Sequence, residues 1–391
     1  MRLTRLSVTG FRNLNVALRD IPETTLLLVG SNAQGKTSVL EAIYFLSTLS
    51  SFQTSTDREL IDFNLISTLP AIARVNAEFE KKNTRHSIEA RVILEQTNAG
   101  TRTRKEIIID GVKKAPSGSI GFFSSILFTP KMFSILESNP DTRRRYLNLT
   151  LAQGIPHYTK TLSQYNKALN QRNALLKRFK EQVGDLSELG YWNELFCESA
   201  SKIIAWRSDS LNALDKLAKT VHSGLSDYAE ELSIEYLPTL ELKMNREIRL
   251  SADELNDSSV IKGRMLQTLK HIQRAEIQRG ITLIGPHRDE FRMHANGIDL
   301  GNFGSRGQVK TALLSLKLAE YHWLQTIFGE NPVILLDEIM SEIDAKRRIA
   351  LMKTLSDHQQ AFLTTTDADI YSKEFVAHST IWRIVQGELT Q

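Results

Sequence analysis

Hydrophobic and polar positions fall into distinct textures along the chain. Over residues 1–29 apolar residues alternate with polar ones at Leu3, Leu6 and Val8, then at Val16 and Leu18, and an apolar run at 25–29 follows. Alternation predicts half-buried strands and a short continuous run a buried one, so two or three strands are expected. Residues 70–128 read as a β-meander: 73–79 and 87–94 alternate around a turn at 81–85, another turn lies at 97–100, Asp110-Gly111 marks a hairpin, and 122–128 is a last apolar strand. Between about 139 and 279 the period becomes helical. Pro140-Asp141 opens one helix with Asp141 as a plausible cap, and Pro156 sits in the first turn of another. Tyr158, Leu162, Tyr165, Leu169, Leu176 and Phe179 recur at four- and three-residue steps, and a second amphipathic stretch covers about 190–230. Joined near Gly184, the two predict either an antiparallel hairpin arm or an ordinary helical bundle. A further helix is expected at about 251–278. After Gly280 the pattern returns to α/β, with strands at 281–284, 333–336 and 361–364, a turn at 298–301 and an amphipathic helix at 305–321. The expected class is α/β: a head built from both chain ends, 1–138 and 280–391, and an inserted helical lobe at 139–279.

Composition narrows this little. The chain has 391 residues, 41% hydrophobic and 24% charged, which is ordinary for a soluble globular protein. The net charge of +4 is compatible with nucleic acid without demanding it. The single cysteine, Cys197, excludes an internal disulfide framework and fits a reducing cytoplasm; it reads as a packed structural residue. The first residues alternate like a strand and do not resemble a signal peptide, and no apolar run approaches a membrane span.

The strongest chemical signal is Gly30-Ser31-Asn32-Ala33-Gln34-Gly35-Lys36-Thr37, which lies between the apolar run at 25–29 and the helical pattern beginning Ser38-Val-Leu-Glu. It matches the phosphate-binding loop G-x-x-x-x-G-K-[ST]. Glycines let successive N–H groups point inward at a phosphate, and the helix start adds its positive dipole end. Lys36 would reach the β- and γ-phosphates of a nucleotide, and the Thr37 hydroxyl would ligate Mg2+. Downstream, Pro332-Val-Ile-Leu-Leu-Asp337-Glu338 is an apolar strand ending in two acids, expected beside the phosphate-loop strand. Asp337 would hold Mg2+ through water and Glu338 would polarise the attacking water. Ser305-Arg306-Gly307-Gln308 opens a helix and offers either a second anion site or a plain N-cap, and Ser341-Glu342-Ile343-Asp344 follows the acids.

In this order and spacing, these motifs resemble the ATP-binding-cassette ATPases. The resemblance implies that the Ser305, Gly307 and Gln308 helix closes on ATP held by a second protomer, with Asp344 near the seam, in an ATP-sandwich homodimer. The helical lobe and the strand Phe362-Leu-Thr-Thr-Thr-Asp367, which lacks a switch histidine, separate the chain from transporter ATPases. Thr365 or Thr366 could contact the γ-phosphate or simply cap the strand.

Over nearly its whole length the chain resembles the RecF family of SMC-related bacterial recombination mediators. The residues that carry this are Gly10-Phe11-Arg12-Asn13, the phosphate loop, Phe128-Thr-Pro130, Arg143-Arg-Arg-Tyr-Leu147, Gln171-Arg172-Asn173-Ala-Leu-Leu176, Gly285-Pro286-His287-Arg288-Asp289, Ser305-x-Gly-Gln308 and Leu335-Leu-Asp-Glu-Ile-Met-Ser-Glu-Ile-Asp344. The chain departs from the family pattern at Gln53, where arginine is common, at Lys131-Met132, where two acids are usual, at Arg306 and at Glu338. The resemblance implies ATP and Mg2+ as cofactors and ATP-dependent dimerisation on single- and double-stranded DNA at gaps and junctions. It also implies slow, DNA-stimulated hydrolysis, action with RecO and RecR to load RecA, and roles in repair, replication restart and SOS induction. A scaffold of the same fold that binds ATP but hardly hydrolyses it is the alternative. Basic clusters at 102–105, Arg143-Arg144-Arg145 and Arg172 to Lys180 could meet phosphates or be ordinary solvated faces. Acidic stretches at 181–198 and 229–254 would make any DNA surface one-sided.

Overall fold

The computed structural model describes residues 1–98, 100–240, 250–251, 253–355, 360–368 and 371–390. Part of the acidic stretch at 229–254, part of the turn at 97–100 and one residue of the helix expected at 251–278 lie outside them. The chain forms two compact units, Met1–Phe133 with Glu320–Gln391, and Ser134–Ala319.

The first unit contains two six-stranded sheets. The antiparallel one runs Leu14–Asp20, Arg2–Phe11, Ala71–Lys81, Thr84–Thr97, Gly100–Ile109, Val112–Lys114. Its inward residues alternate, as in Leu3, Leu6 and Val8 or Ala73, Val75, Ala77 and Phe79, all buried. The other runs Glu388–Thr390, Thr380–Val385, Leu26–Val29, Ala361–Thr365, Val333–Asp337, Ser125–Phe128, and is parallel except at its first strand. Its inner strands are continuous apolar runs because both faces are covered. Helix Lys36–Thr48 touches strands of both sheets, and only Thr37 and Ser38 in it escape burial. A helix buried on all sides carries no polar stripe, which accounts for the unbroken Val39–Leu40 and Ala42–Leu46 apolar runs around Glu41.

One expectation about this sheet is corrected. The acidic strand Val333–Asp337 does not lie beside the phosphate-loop strand; Ala361–Thr365 is inserted between them and pairs with both in parallel. A parallel connection needs a crossover, so chain order does not set neighbour order. The last strand of 70–128 also shortens to Ser125–Phe128 and joins the parallel sheet.

In the second unit, helices Tyr158–Lys180, Glu188–Leu225 and Ser258–Arg279 pack pairwise against one another. The two amphipathic arms thus belong to a three-helix arrangement. The N-cap of helix Pro140–Gly154 is Asn139, whose side chain accepts the Thr142 N–H; Asp141 lies in the first turn. The unit also holds a three-stranded antiparallel sheet that the helical pattern did not foretell, Ile298–Asp299, Glu290–Ala295, Leu232–Leu237. This pairing joins residues on both sides of position 280, so 280–319 falls in the helical unit and not with the head. Residues 281–284 are not a strand. Their backbone is bound by side chains: Thr282 N–H by Asn173 Oδ1 and Leu283 N–H by Glu276 Oε1, both at 2.8 Å. Residues 298–301 are the short strand and the start of helix Leu300–Phe303; the turn is at Asn296-Gly297.

Candidate active site

Strand Leu26–Val29 delivers the chain to Gly30, and helix Lys36–Thr48 leads it away. A Cβ on Gly30 would stand 2.7 Å from the Ile384 carbonyl oxygen, so only glycine fits. Gly35 closes the loop at φ 112 and begins the helix with no side-chain cap. The first-turn N–H groups there have no capping acceptor, as a phosphate cradle requires. Ser31, Asn32 and Ala33 form the exposed tip. Lys36 is 4% exposed; its Nζ donates to the carbonyls of Gly30 at 2.7 Å and Ser31 at 3.1 Å and lies 3.3 Å from the Glu338 carboxylate. Ser38 Oγ donates to Asn13 Oδ1 at 3.1 Å. Gln34 faces the chain's last turn: its Oε1 accepts the Gln386 N–H at 2.7 Å and its carbonyl accepts the Gly387 N–H at 2.9 Å. No local signal marked Gln386, which lines the cleft.

Asp337 ends its strand almost fully buried, with its Oδ1 accepting from Thr37 Oγ1 at 2.8 Å and from Thr364 Oγ1 at 2.9 Å. Burial raises its carboxyl pKa above the ordinary aspartate value; the two hydroxyls and Lys36 pull it down and Glu338 adds to the rise. Thr364 Oγ1 also accepts the Glu338 N–H at 3.0 Å. That bond holds Glu338 in a left-handed backbone conformation, φ 50, which costs a non-glycine residue roughly 1 kcal/mol. The Glu338 side chain is 42% exposed, within reach of water. Of the threonine run, Thr364 touches the acids, because it is the register partner of Asp337. Thr365 Oγ1 is instead bonded to the Asp367 backbone, and Thr366 is exposed.

A hydroxyl and a carboxylate side by side fit Mg2+, which takes hard oxygen ligands and is commonly held by one or two protein groups with water and phosphate oxygens completing the shell. The cleft has a volume of 1110 Å³, ample for a nucleoside triphosphate, and its walls include Arg12, Asn13, Gln53, Phe63 and Asn64 besides Lys36, Thr37, Ser38 and Glu338. Two departures from the family pattern meet here: Lys131 Nζ donates to Gln53 Oε1 at 2.6 Å.

The remaining motif residues have local partners. Ser305 and Gln308 form a capping box at the start of helix Arg306–Phe328: Ser305 N–H donates to Gln308 Oε1 at 3.0 Å and Gln308 N–H to Ser305 Oγ at 3.2 Å. Gln308 Nε2 also donates to Glu230 at 2.8 Å. Ser305, Arg306 and Gly307 are exposed. Asp344 accepts the Arg347 N–H at 3.0 Å, in the manner of a cap for helix Ala345–Leu355. Arg143 makes a bidentate pair with Glu290 at 2.6 and 2.8 Å, and Arg144 pairs with Asp141 and donates to the Asp289 carbonyl. Arg172 is buried. These three guanidiniums serve the fold, while Lys177, Arg178 and Lys180 are exposed.

The family described as RecF/RecN/SMC N terminal domain matches residues 2–387. The DNA replication and repair proteins RecF of Staphylococcus carnosus and Chloroflexus aggregans are 33% and 34% identical to this chain, covering all of it and 100% and 99% of their own lengths. A solved structure of the recombination mediator protein RecF with ATPrS, in the RecFOR pathway, superposes with a TM-score of 0.85 at 30% identity over 99% of this chain and 97% of that one. The corresponding RecF-ATP structure gives 0.83 at 31% identity over 100% and 97%. The Smc head bound to the C-winged helix domain of ScpA, at 14% identity and a TM-score of 0.51 over 100% and 97%, has the same fold.

Proposed function

Because the chain belongs to the RecF family, we propose that it is an ATP-gated recombination mediator acting in DNA replication and repair. The observation that carries this is the meeting of Lys36, Thr37, Asp337, Glu338 and Thr364 at one end of a cleft floored by the phosphate loop. Lys36 and the loop N–H groups would bind the β- and γ-phosphates. Thr37 and Asp337 would hold Mg2+, which neutralises phosphate charge when bound. Glu338, at the solvent edge, would take a proton from the attacking water.

The phosphate loop and the acids Asp337 and Glu338 would complete only one side of the nucleotide site. The exposed Ser305 and Gly307 at a helix start suit the other side if they come from a second copy, giving two identical ATP seams in a homodimer. The dimer would sit on DNA at gaps and junctions, release it on slow hydrolysis, and work in the cytoplasm with RecR and RecO to load RecA. Exposed Lys177, Arg178 and Lys180 support phosphate contact without sequence readout.

Light scattering tests this. Glu338→Gln keeps the shape of the site and removes the base, so it should give twice the monomer mass with ATP and monomer mass with ADP, and Ser305→Arg should stay monomeric with ATP bound. A monomer in the Glu338→Gln variant with ATP, or equal mass with both nucleotides, would refute the sandwich.

A further inference from the structure

One wall of the cleft hangs from a buried carboxylate that the chemistry above does not use. Glu41 lies within helix Lys36–Thr48 and is 1% exposed. Its Oε2 accepts from Arg12 Nε and its Oε1 from Arg12 Nη2, each at 2.9 Å. Arg12 Nη1 donates to the Glu59 carbonyl at 2.9 Å, and its backbone N–H to the Leu60 carbonyl at 2.8 Å. Glu41 Oε1 also accepts from Ser51 Oγ, and that hydroxyl accepts the N–H groups of Gln53 at 2.8 Å and Thr54 at 2.9 Å.

One carboxylate therefore ties the turn at Arg12 and the loop at 51–54 to the phosphate-loop helix. Arg12, Gln53, Thr54 and Glu41 all line the same cleft as Lys36. Arg12 is at φ 53, a conformation that a non-glycine residue keeps only where its surroundings impose it. A buried carboxylate is a costly way to fill space, and a well-packed apolar residue would serve stability as well. Its partners are what distinguish it: a bidentate fork fixes the plane of a guanidinium, and here that guanidinium is a cleft wall.

We propose that Glu41 is the positioning residue of this cleft, fixing Arg12 and the 51–54 loop against the phosphate-loop helix so that the wall is formed before nucleotide arrives. This rests on the reading of the cleft as the ATP site.

The test is a titration with a fluorescent ATP analogue, alongside urea unfolding of each nucleotide-free protein, for wild type, Lys36→Ala, Glu41→Gln, Arg12→Lys and the Glu41→Gln/Arg12→Lys double variant. Wild type should bind and Lys36→Ala should not; the reverse overturns the ATP reading itself. Glu41→Gln and Arg12→Lys should each weaken binding about tenfold, the effect of losing a charge-assisted bidentate contact. The double variant should be no weaker than the worse single one, because both break the same contact. With the two controls behaving as stated, binding by Glu41→Gln within about twofold of wild type, or losses that multiply in the double variant, overturns the positioning role. If Glu41→Gln fails to fold, Ser51→Ala decides, since it removes the loop's bond to Glu41 and leaves the Arg12–Glu41 pair in place: roughly threefold weaker binding supports the role and unchanged binding overturns it.

Discussion

The two units carry motifs of equal prominence in the sequence, and they use them differently. In the first, Lys36, Thr37 and Glu338 open onto a cleft with Asp337 bonded behind Thr37, and Glu338 is in a strained backbone conformation and partly in water. In the second, Arg172 and Asn173 bond Thr282 at the start of the 281–289 segment, and Gly285, Pro286 and Asp289 are buried while Arg288 stays exposed. Arg172 bonds Glu276 at 2.5 Å, Thr282 at 2.8 Å and Asn193 at 2.8 Å. Arg207 reaches Asp289 at 3.0 Å, the Pro286 carbonyl at 2.8 Å and Asn148 at 3.0 Å; Asp289 also accepts from Tyr236 OH and from the Thr239 N–H. The buried charges Arg172, Glu276, Arg207 and Asp289 are ion-paired and hydrogen-bonded, as low-dielectric burial requires. The difference teaches that the phosphate-loop residues Lys36 and Thr37 and the acid Glu338 meet at a cleft, whereas Arg172, Arg207 and Asp289 build a buried polar lattice that fixes where 281–289 runs.

The largest expected effect that could break this contrast lies in the lattice. Asp289→Ala leaves Arg207 buried without its carboxylate and should cost about 3–5 kcal/mol of stability by urea unfolding. A loss under about 1 kcal/mol would mean that the lattice is not what holds the second unit.

A pH experiment comes next. His287 receives or donates one bond to Tyr165 OH at 2.5 Å and faces the Thr282 carbonyl; burial pushes its pKa down to about 4. Its folded pKa lies below the unfolded value of 6.5, so the unfolded chain takes the proton first. Its contribution is fully present above pH 6.5 and is lost as pH falls toward 4. Relative to His287→Gln, wild type should lose about 2–3 kcal/mol over that window, and parallel pH profiles for the two would show that His287 is not buried neutral.

The smallest effect belongs to the cleft. The raised pKa of Asp337 means that its ionised form is a net cost to the fold at neutral pH, because the stability this group contributes is present below the unfolded pKa and lost as pH rises through the folded one. Asp337→Asn should raise the melting temperature of the nucleotide-free protein by roughly 1–3 °C while removing the Mg2+ dependence of ATP binding. A lowered melting temperature would make Asp337 a structural residue like those of the second unit.

The parts of the fold and site legible in the sequence were the contiguous ones. Gly30 to Thr37 and Val333 to Glu338 each carry strand, loop and polar end within a few residues, so pattern and chemistry coincide. The contact of Thr364 with the acids follows from a strand order that hydrophobic runs do not encode. Arg12, Gln53 and Gln386 reach the cleft from three distant segments, with no spacing to reveal it. Residues 281–284 looked like a strand because an apolar run is ambiguous when side chains such as Asn173 and Glu276 supply its backbone partners. Leu232–Leu237 was hidden by the helical texture on both sides.

The division of labour is tested most directly by the rise in melting temperature that saturating ATP with Mg2+ produces in wild type, Lys36→Ala and Arg172→Met. Ligand that binds only the folded state raises stability in proportion to the logarithm of its concentration over Kd. Arg172→Met should begin from a lower melting temperature and gain the same ATP increment as wild type, while Lys36→Ala should begin at the wild-type temperature and gain nothing. An undiminished increment in Lys36→Ala, or its loss in a folded Arg172→Met, would contradict the account.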